Sequence, residues 1–122
     1  MIGVLALCAL SIPIWRMRPA VDFDRRRQVQ VDLQSFRTVL EMYKGMNGSY
    51  PTTEQGLHAL VEKSRTSPKP RQWHRVDMNF PKDPWQNDYV YRCPGAKIQM
   101  RYDLFSSGPD HTPDTADDDW GY

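Results

Sequence analysis

Residues 29–43 read Val-Gln-Val-Asp-Leu-Gln-Ser-Phe-Arg-Thr-Val-Leu-Glu-Met-Tyr, and the fold follows from how this stretch is patterned. Val29, Leu33, Phe36, Leu40 and Tyr43 recur at alternating spacings of four and three, which lines them up on one face of an α-helix. The helical pattern extends from Asp22 to Met46, with Arg25, Arg26, Arg37 and Lys44 falling mostly off that face. Gly45-Met46-Asn47-Gly48 supplies the stop, because Asn and Gly tolerate the left-handed cap conformation. A helix with a single apolar stripe must lay that stripe against another part of the chain.

The cover has to come from the C-terminal two thirds. Tyr50-Pro51-Thr52-Thr53-Glu54-Gln55-Gly56-Leu57 predicts a second, short helix: Thr52 and Gln55 stand three apart as a capping box, and Leu57, Leu60 and Val61 form its buried side. Lys63 to Pro70 reads as a linker, and Phe80-Pro81-Lys82-Asp83-Pro84-Trp85 as a proline-rich ordered loop. Tyr89-Val90-Tyr91-Arg92 and Ile98-Gln99-Met100-Arg101-Tyr102-Asp103-Leu104 alternate apolar and polar residues around the turn Cys93-Pro94-Gly95-Ala96-Lys97, which predicts an antiparallel hairpin. Tyr50, Trp85, Tyr89, Tyr91 and Tyr102 are placed to pack between sheet and helix. The fold class is α+β, a long N-terminal helix on a small antiparallel sheet.

Upstream, residues 2–15 are an uncharged run of 14. As a helix this run would span about 21 Å, against a hydrocarbon core of about 30 Å. It has neither the charged start nor the small-residue cleavage site of a secretory signal. Apolar all round and followed by Arg16, Arg18 and Pro19, it reads as the C-terminal part of a membrane helix. We therefore divide the chain into an apolar N-terminal segment, 1–21, and one globular domain, 22–122. At 122 residues there is room for one core, and a net charge of +1 excludes a nucleic-acid partner held by bulk electrostatics. Cys8 and Cys93 make no disulfide framework, since a bond would have to join the apolar segment to the domain.

The densest chemistry lies near the C-terminus. Residues Asp110 to Asp119 hold five aspartates, at 110, 114, 117, 118 and 119, and no lysine or arginine. Carboxylates this close repel one another, so a compact loop calls for a cation among them. Hard oxygen ligands on a loop are what Ca²⁺ selects. Gly108 and Pro109 supply the turn, and Pro113, Trp120 and Tyr122 are unlike a disordered acidic tail. Catalysis has little to work with. His58, His74 and His111 are not at metal-ligand spacing, and Ser106-Ser107-Gly108 lacks the strand-turn-helix context of a nucleophile elbow.

Several stretches taken together resemble one family. Leu40-Glu41-Met42-Tyr43-Lys44, Gly48-Ser49-Tyr50-Pro51-Thr52-Thr53-Glu54-Gln55-Gly56-Leu57, Leu60-Val61-Glu62-Lys63, Pro81-Lys82-Asp83-Pro84-Trp85-Gln86-Asn87, and Tyr102 to Asp110 followed by Thr115-Ala116-Asp117-Asp118 appear in the order and register of the type II secretion system major pseudopilins, the general secretion pathway protein G family. The resemblance covers residues from about 29 to 120. It implies a pilin-like, polymer-forming subunit rather than an enzyme: an apolar first half-helix packs at the centre of a filament, and a globular head with a small sheet lies outside.

What else the resemblance implies concerns place, partners and metal. The subunit is expected as a single-pass protein of the inner membrane, anchored through its N-terminal helix, with its head in the periplasm. It would self-polymerise, meet minor pseudopilins and an inner-membrane assembly platform, and help drive folded proteins through an outer-membrane channel. The C-terminal loop of the family holds a structural calcium. Its side-chain ligands here would be Asp110, Asp117 and Asp118, completed by backbone oxygens near Leu104 and Ser107. Asp114 and Asp119 stand where the family more often has Gly and an apolar or small residue. A basic leader with its cleavage site is also expected ahead of the apolar run. The alternatives are a type IV pilus subunit, which usually closes its C-terminal region with a disulfide that a lone Cys93 cannot make, and an anchored calcium-binding envelope protein that does not polymerise.

Overall fold

The computed structural model describes residues 14–76, 79–97 and 101–122, with helix side chains described from Val21 onward. Helix α1 spans Ile14–Asn47, 34 residues or about 51 Å. It passes residue 21 unbroken, so Asp22, the expected start of the helical pattern, is an interior position. Val29, Leu33, Phe36, Leu40 and Tyr43 are all buried on its covered face. The stop also falls as expected: Gly48 takes φ 89° and its N–H donates to the Lys44 carbonyl at 2.8 Å.

Beyond the helix the capping box forms, with the Gln55 N–H on Thr52 Oγ1 at 3.2 Å and the Thr52 N–H on Gln55 Oε1 at 3.0 Å. The expected short second helix follows it as a 3-10 helix rather than an α-helix. Gly56 sits at φ 63°, ψ −172°, outside helical geometry, so the turn breaks and restarts as the 3-10 helix Leu57–Leu60. Its buried residues are Ala59 and Leu60, whereas Leu57 and Val61 are half-buried. The stretch expected as a linker is tied down, because Gln55 Nε2 donates to the carbonyls of both Thr66 and Pro68.

The sheet has two antiparallel strands, β1 (Val90–Arg92) and β2 (Asp103–Phe105), in the register Val90↔Phe105, Tyr91↔Leu104 and Arg92↔Asp103. Residues 98–100 of the expected second strand lie outside the described residues. The described strand starts later than expected and runs on to Phe105. One physical reason is visible: the buried Asp103 carboxylate accepts the N–H groups of Ala96 and Lys97, so the connection folds back onto the strand instead of extending the ladder. Aromatic rings join sheet to helix, with Tyr89 edge-on to Phe36 at 5.6 Å and Phe80 stacked on Phe36 at 5.9 Å. The Tyr91 hydroxyl donates to the Pro51 carbonyl, and the Tyr89 hydroxyl donates to Asp32, a buried carboxylate on the helix's inner face. Each large side chain buried here contributes about 1.5–3 kcal/mol.

Candidate functional site: the C-terminal acidic loop

The acidic segment begins where β2 ends, and a bridge closes it. Ser106 and Asp119 exchange two backbone hydrogen bonds, both 2.9 Å, so residues 107–118 form a loop pinned at its base. Inside it Gly108 takes φ 73°, and a Cβ there would lie 2.5 Å from the Asp117 carbonyl oxygen. No other residue fits that approach without moving backbone.

A second segment buttresses the base. Asp83, 1% exposed, accepts from the Ser106 hydroxyl at 2.6 Å, the Asn87 N–H at 2.8 Å and the Trp85 N–H at 3.0 Å. Asn87 Nδ2 donates to the Gly108 carbonyl, and Asn87 Oδ1 pairs with His111 Nδ1. The sequence placed Asp83 in an ordered loop, residues 80–85, that stopped short of Asn87, and gave neither residue this role. The available signal was an Asp with acceptor reach to backbone two and four residues on.

The carboxylates are held in distinct ways. The Asp110 N–H donates to Asp117 Oδ2 at 3.0 Å, which brings those two residues together. The Thr115 hydroxyl donates to Asp117 Oδ1 at 2.6 Å, and it, with the Asp110 N–H, holds the Asp117 carboxyl below its usual range. Asp118 Oδ2 accepts the N–H groups of Asp114 and Thr115, so it faces the 114–115 turn. Asp119 Oδ1 accepts the Gly121 N–H. Asp114 is bound to Arg92, whose guanidinium holds its carboxyl low. Leu104 and Ser107 are both buried, and the Ser107 carbonyl accepts no hydrogen bond from another described residue. Among the described residues, no three carboxylate, imidazole or thiol groups converge as a metal cluster.

The chain end is fastened to α1. Trp120 stacks on Phe105 at 4.4 Å, its carbonyl accepts from Arg37 Nη2, and Gly121 packs against Leu33. An open cleft of about 840 Å³ lies between the loop and the helix, lined by Phe23, Arg26, Gln30, Trp85, Asp118 and Trp120 among others. No described helix is long and apolar enough to cross a membrane.

The family profile "Type II secretion system (T2SS), protein G" matches residues 17–120, which takes in the helix, the sheet and the closed acidic loop. The chain belongs to this family. It is 38% identical over 120 residues to the type II secretion system core protein G of Pseudomonas aeruginosa, covering 97% of this chain and 80% of that one. It is 43% identical over 97 residues to the same-named protein of Dickeya chrysanthemi, covering 78% of this chain and 61% of that relative's length. The fold matches the crystal structure of the major pseudopilin from the type 2 secretion system of enterohaemorrhagic Escherichia coli, with a TM-score of 0.75 and 40% identity over 83% of this chain and 85% of that one. The chain is a pseudopilin by fold and by family, and the structural role of that family fits the scarcity of catalytic groupings in this sequence.

Proposed function

We propose that this chain is a structural subunit of a type II secretion pseudopilus, polymerising from the inner membrane into the periplasm to drive folded proteins out of the cell. One observation carries the reading: α1 has a second apolar edge that its own head does not cover. Val31 and Met42 are 55% and 54% exposed and stand eleven residues, three helical turns, apart on one side. Between them Ser35 and Thr38 turn their hydroxyls back onto the carbonyls of Val31 and Gln34, so the strip offers little polarity. Scattered exposed apolar residues are ordinary, but aligned ones on a helix suit packing against another copy. Residues 2–15 would anchor the chain in the inner membrane, where minor pseudopilins and the assembly platform are the expected partners. Electron microscopy, with antibody labelling, of filaments released from the envelope of cells making this chain with a complete secretion apparatus tests the reading. Filaments carrying this chain support it, and its absence from them contradicts it.

We assign Ca²⁺ to the acidic loop of this subunit. The donor chemistry fits: the carboxylates of Asp110, Asp117 and Asp118 and the carbonyls of Leu104 and Ser107 are hard oxygens. Each carboxylate keeps lone pairs beyond the hydrogen bonds it accepts. Bound there, the ion would offset the repulsion among the aspartates. A dissociation constant on the order of 10⁻⁴ to 10⁻³ M is expected for such a site. Because metal that binds only the folded state stabilises it, the melting temperature rises with calcium, and Asp117→Ala or Asp110→Ala abolishes that rise. No rise in the parent chain removes the assignment.

A further inference from the structure

We propose that Arg92 is the resident cation of the acidic loop, closing it through Asp114 so that the loop keeps its shape before any metal binds. The five clustered aspartates demand positive charge, and the loop itself contains none. The structure supplies it from the sheet. Arg92, the last residue of β1, donates from Nη1 to Asp114 Oδ2 at 3.0 Å and from Nη2 to Asp114 Oδ1 at 2.9 Å, a two-pronged pair across 22 residues of chain. The same Nη2 lies 3.6 Å from Asp103 Oδ2, a buried carboxylate, and the guanidinium sits 5.1 Å from the centroid of the Phe105 ring. The Arg92 side chain is only 29% exposed. Most surface ion pairs contribute little because two long side chains must be ordered to make them. Here strand, ring and second carboxylate have already ordered the guanidinium, so only Asp114 need be held.

The pair also reaches the neighbouring carboxylate. Asp114 sits at φ 66°, in the left-handed region, and its N–H donates to Asp118 Oδ2 at 2.8 Å. Fixing the Asp114 side chain therefore fixes the turn that aims Asp118. Two roles separate within the cluster: Asp114 is spent on Arg92, while Asp110, Asp117 and Asp118 retain free lone pairs. Arg92 is a positioning residue for the loop, and the metal-binding arm of its test rests on the calcium assignment above.

The test is hydrogen exchange of the 122-residue chain, followed by mass spectrometry of peptides from residues 106–119 and from α1, in chelator and in millimolar calcium. Arg92→Met keeps an aliphatic stem on Phe105 and removes the charge. Asp114→Asn keeps a residue that tolerates the left-handed backbone. In chelator each variant should exchange its loop amides faster, on the order of tenfold, the scale of a charge-assisted hydrogen bond. Exchange in α1 should not change. The double variant should exchange no faster than Arg92→Met alone, because that substitution already removes the pair with Asp114. Arg92→Lys, which keeps the charge but loses the fork, should fall between Arg92→Met and the parent. Loop exchange equal to the parent's in chelator, or singles whose effects add, overturns the proposal. Faster exchange in the variants, with no calcium response in the parent, would uphold Arg92 and remove the calcium. Unchanged exchange with a clear calcium response would do the reverse.

Discussion

At Gly108 a single hydrogen atom stands where every other residue has a side chain, and the Asp117 carbonyl fills the space beyond it. Gly108→Ala should therefore cost about 1–3 kcal/mol through strain at its positive φ, and should weaken any calcium response by displacing Asp117; thermal melts with and without calcium check both. On the inner face of α1, Leu40→Ala should lower stability by about 2–5 kcal/mol, and an unchanged denaturation midpoint would mean the face is misassigned. Titration adds a third expectation. Asp114 and Asp117 are held below their usual value of 3.8, so their stabilisation is present above that value and is lost as pH falls through their folded range. Melts below pH 4 should lose stability, less steeply in Arg92→Met, which lacks the Asp114 pair. In the opposite direction Tyr50 is pushed up to about 12 by burial and by its hydrogen bond to Glu41. Its stabilisation is complete below pH 10, the ordinary tyrosine value, and disappears between 10 and 12, which tyrosinate absorbance and melts can follow together. The five apolar positions from Val29 to Tyr43 were legible because one helical period fixes them. The burial of Asp32 and the bracing roles of Asp83 and Asn87 were not, because their partners Tyr89, Ser106 and Gly108 lie 57, 23 and 21 residues away, and spacing says nothing of those.

Elements differed in how far local chemistry ruled them. The stop of α1 at Asn47 and Gly48 and the Thr52–Gln55 box are set by neighbours within four residues, and both appear where the sequence puts them. The short helix expected after the box is held to a single 3-10 stretch, Leu57–Leu60, for an equally local reason, the positive φ of Gly56, which propensity alone does not reveal. That two antiparallel strands pair here was readable from alternation, but their register, with Tyr91 opposite Leu104, was not. Nor was the hairpin's extent, since Asp103 turns its carboxylate onto the backbone of the preceding loop. The proline-rich loop was legible as ordered, but its service as a brace under the acidic loop depends on Asp83 reaching Ser106, 23 residues away. Asp83→Ala leaves the Ser106 hydroxyl and two backbone N–H groups without their acceptor, and should cost about 2–4 kcal/mol. Chemical denaturation measures this. A loss below about 0.5 kcal/mol would show that water replaces the carboxylate freely.

For the whole molecule, the head covers one side of α1 and leaves Val31 and Met42 on the other, an arrangement that suits a subunit of a larger assembly. If this strip packs on a different surface of the next copy, the contact repeats, giving a ring where the rotation closes and an open filament where it does not. The fold and family were legible because short motifs lay in register along most of the chain. The uncovered strip was not, because the apolar period that marks a core face also hides the few apolar residues opposite it. The most direct measurement places cysteines at both Val31 and Met42 of one chain whose Cys8 and Cys93 are replaced by serine, and cross-links them in cells that make the secretion apparatus. A ladder of covalent multimers extending well beyond the dimer is expected. Only monomer, or a single dimer band, from cysteines that a maleimide probe labels readily would contradict it.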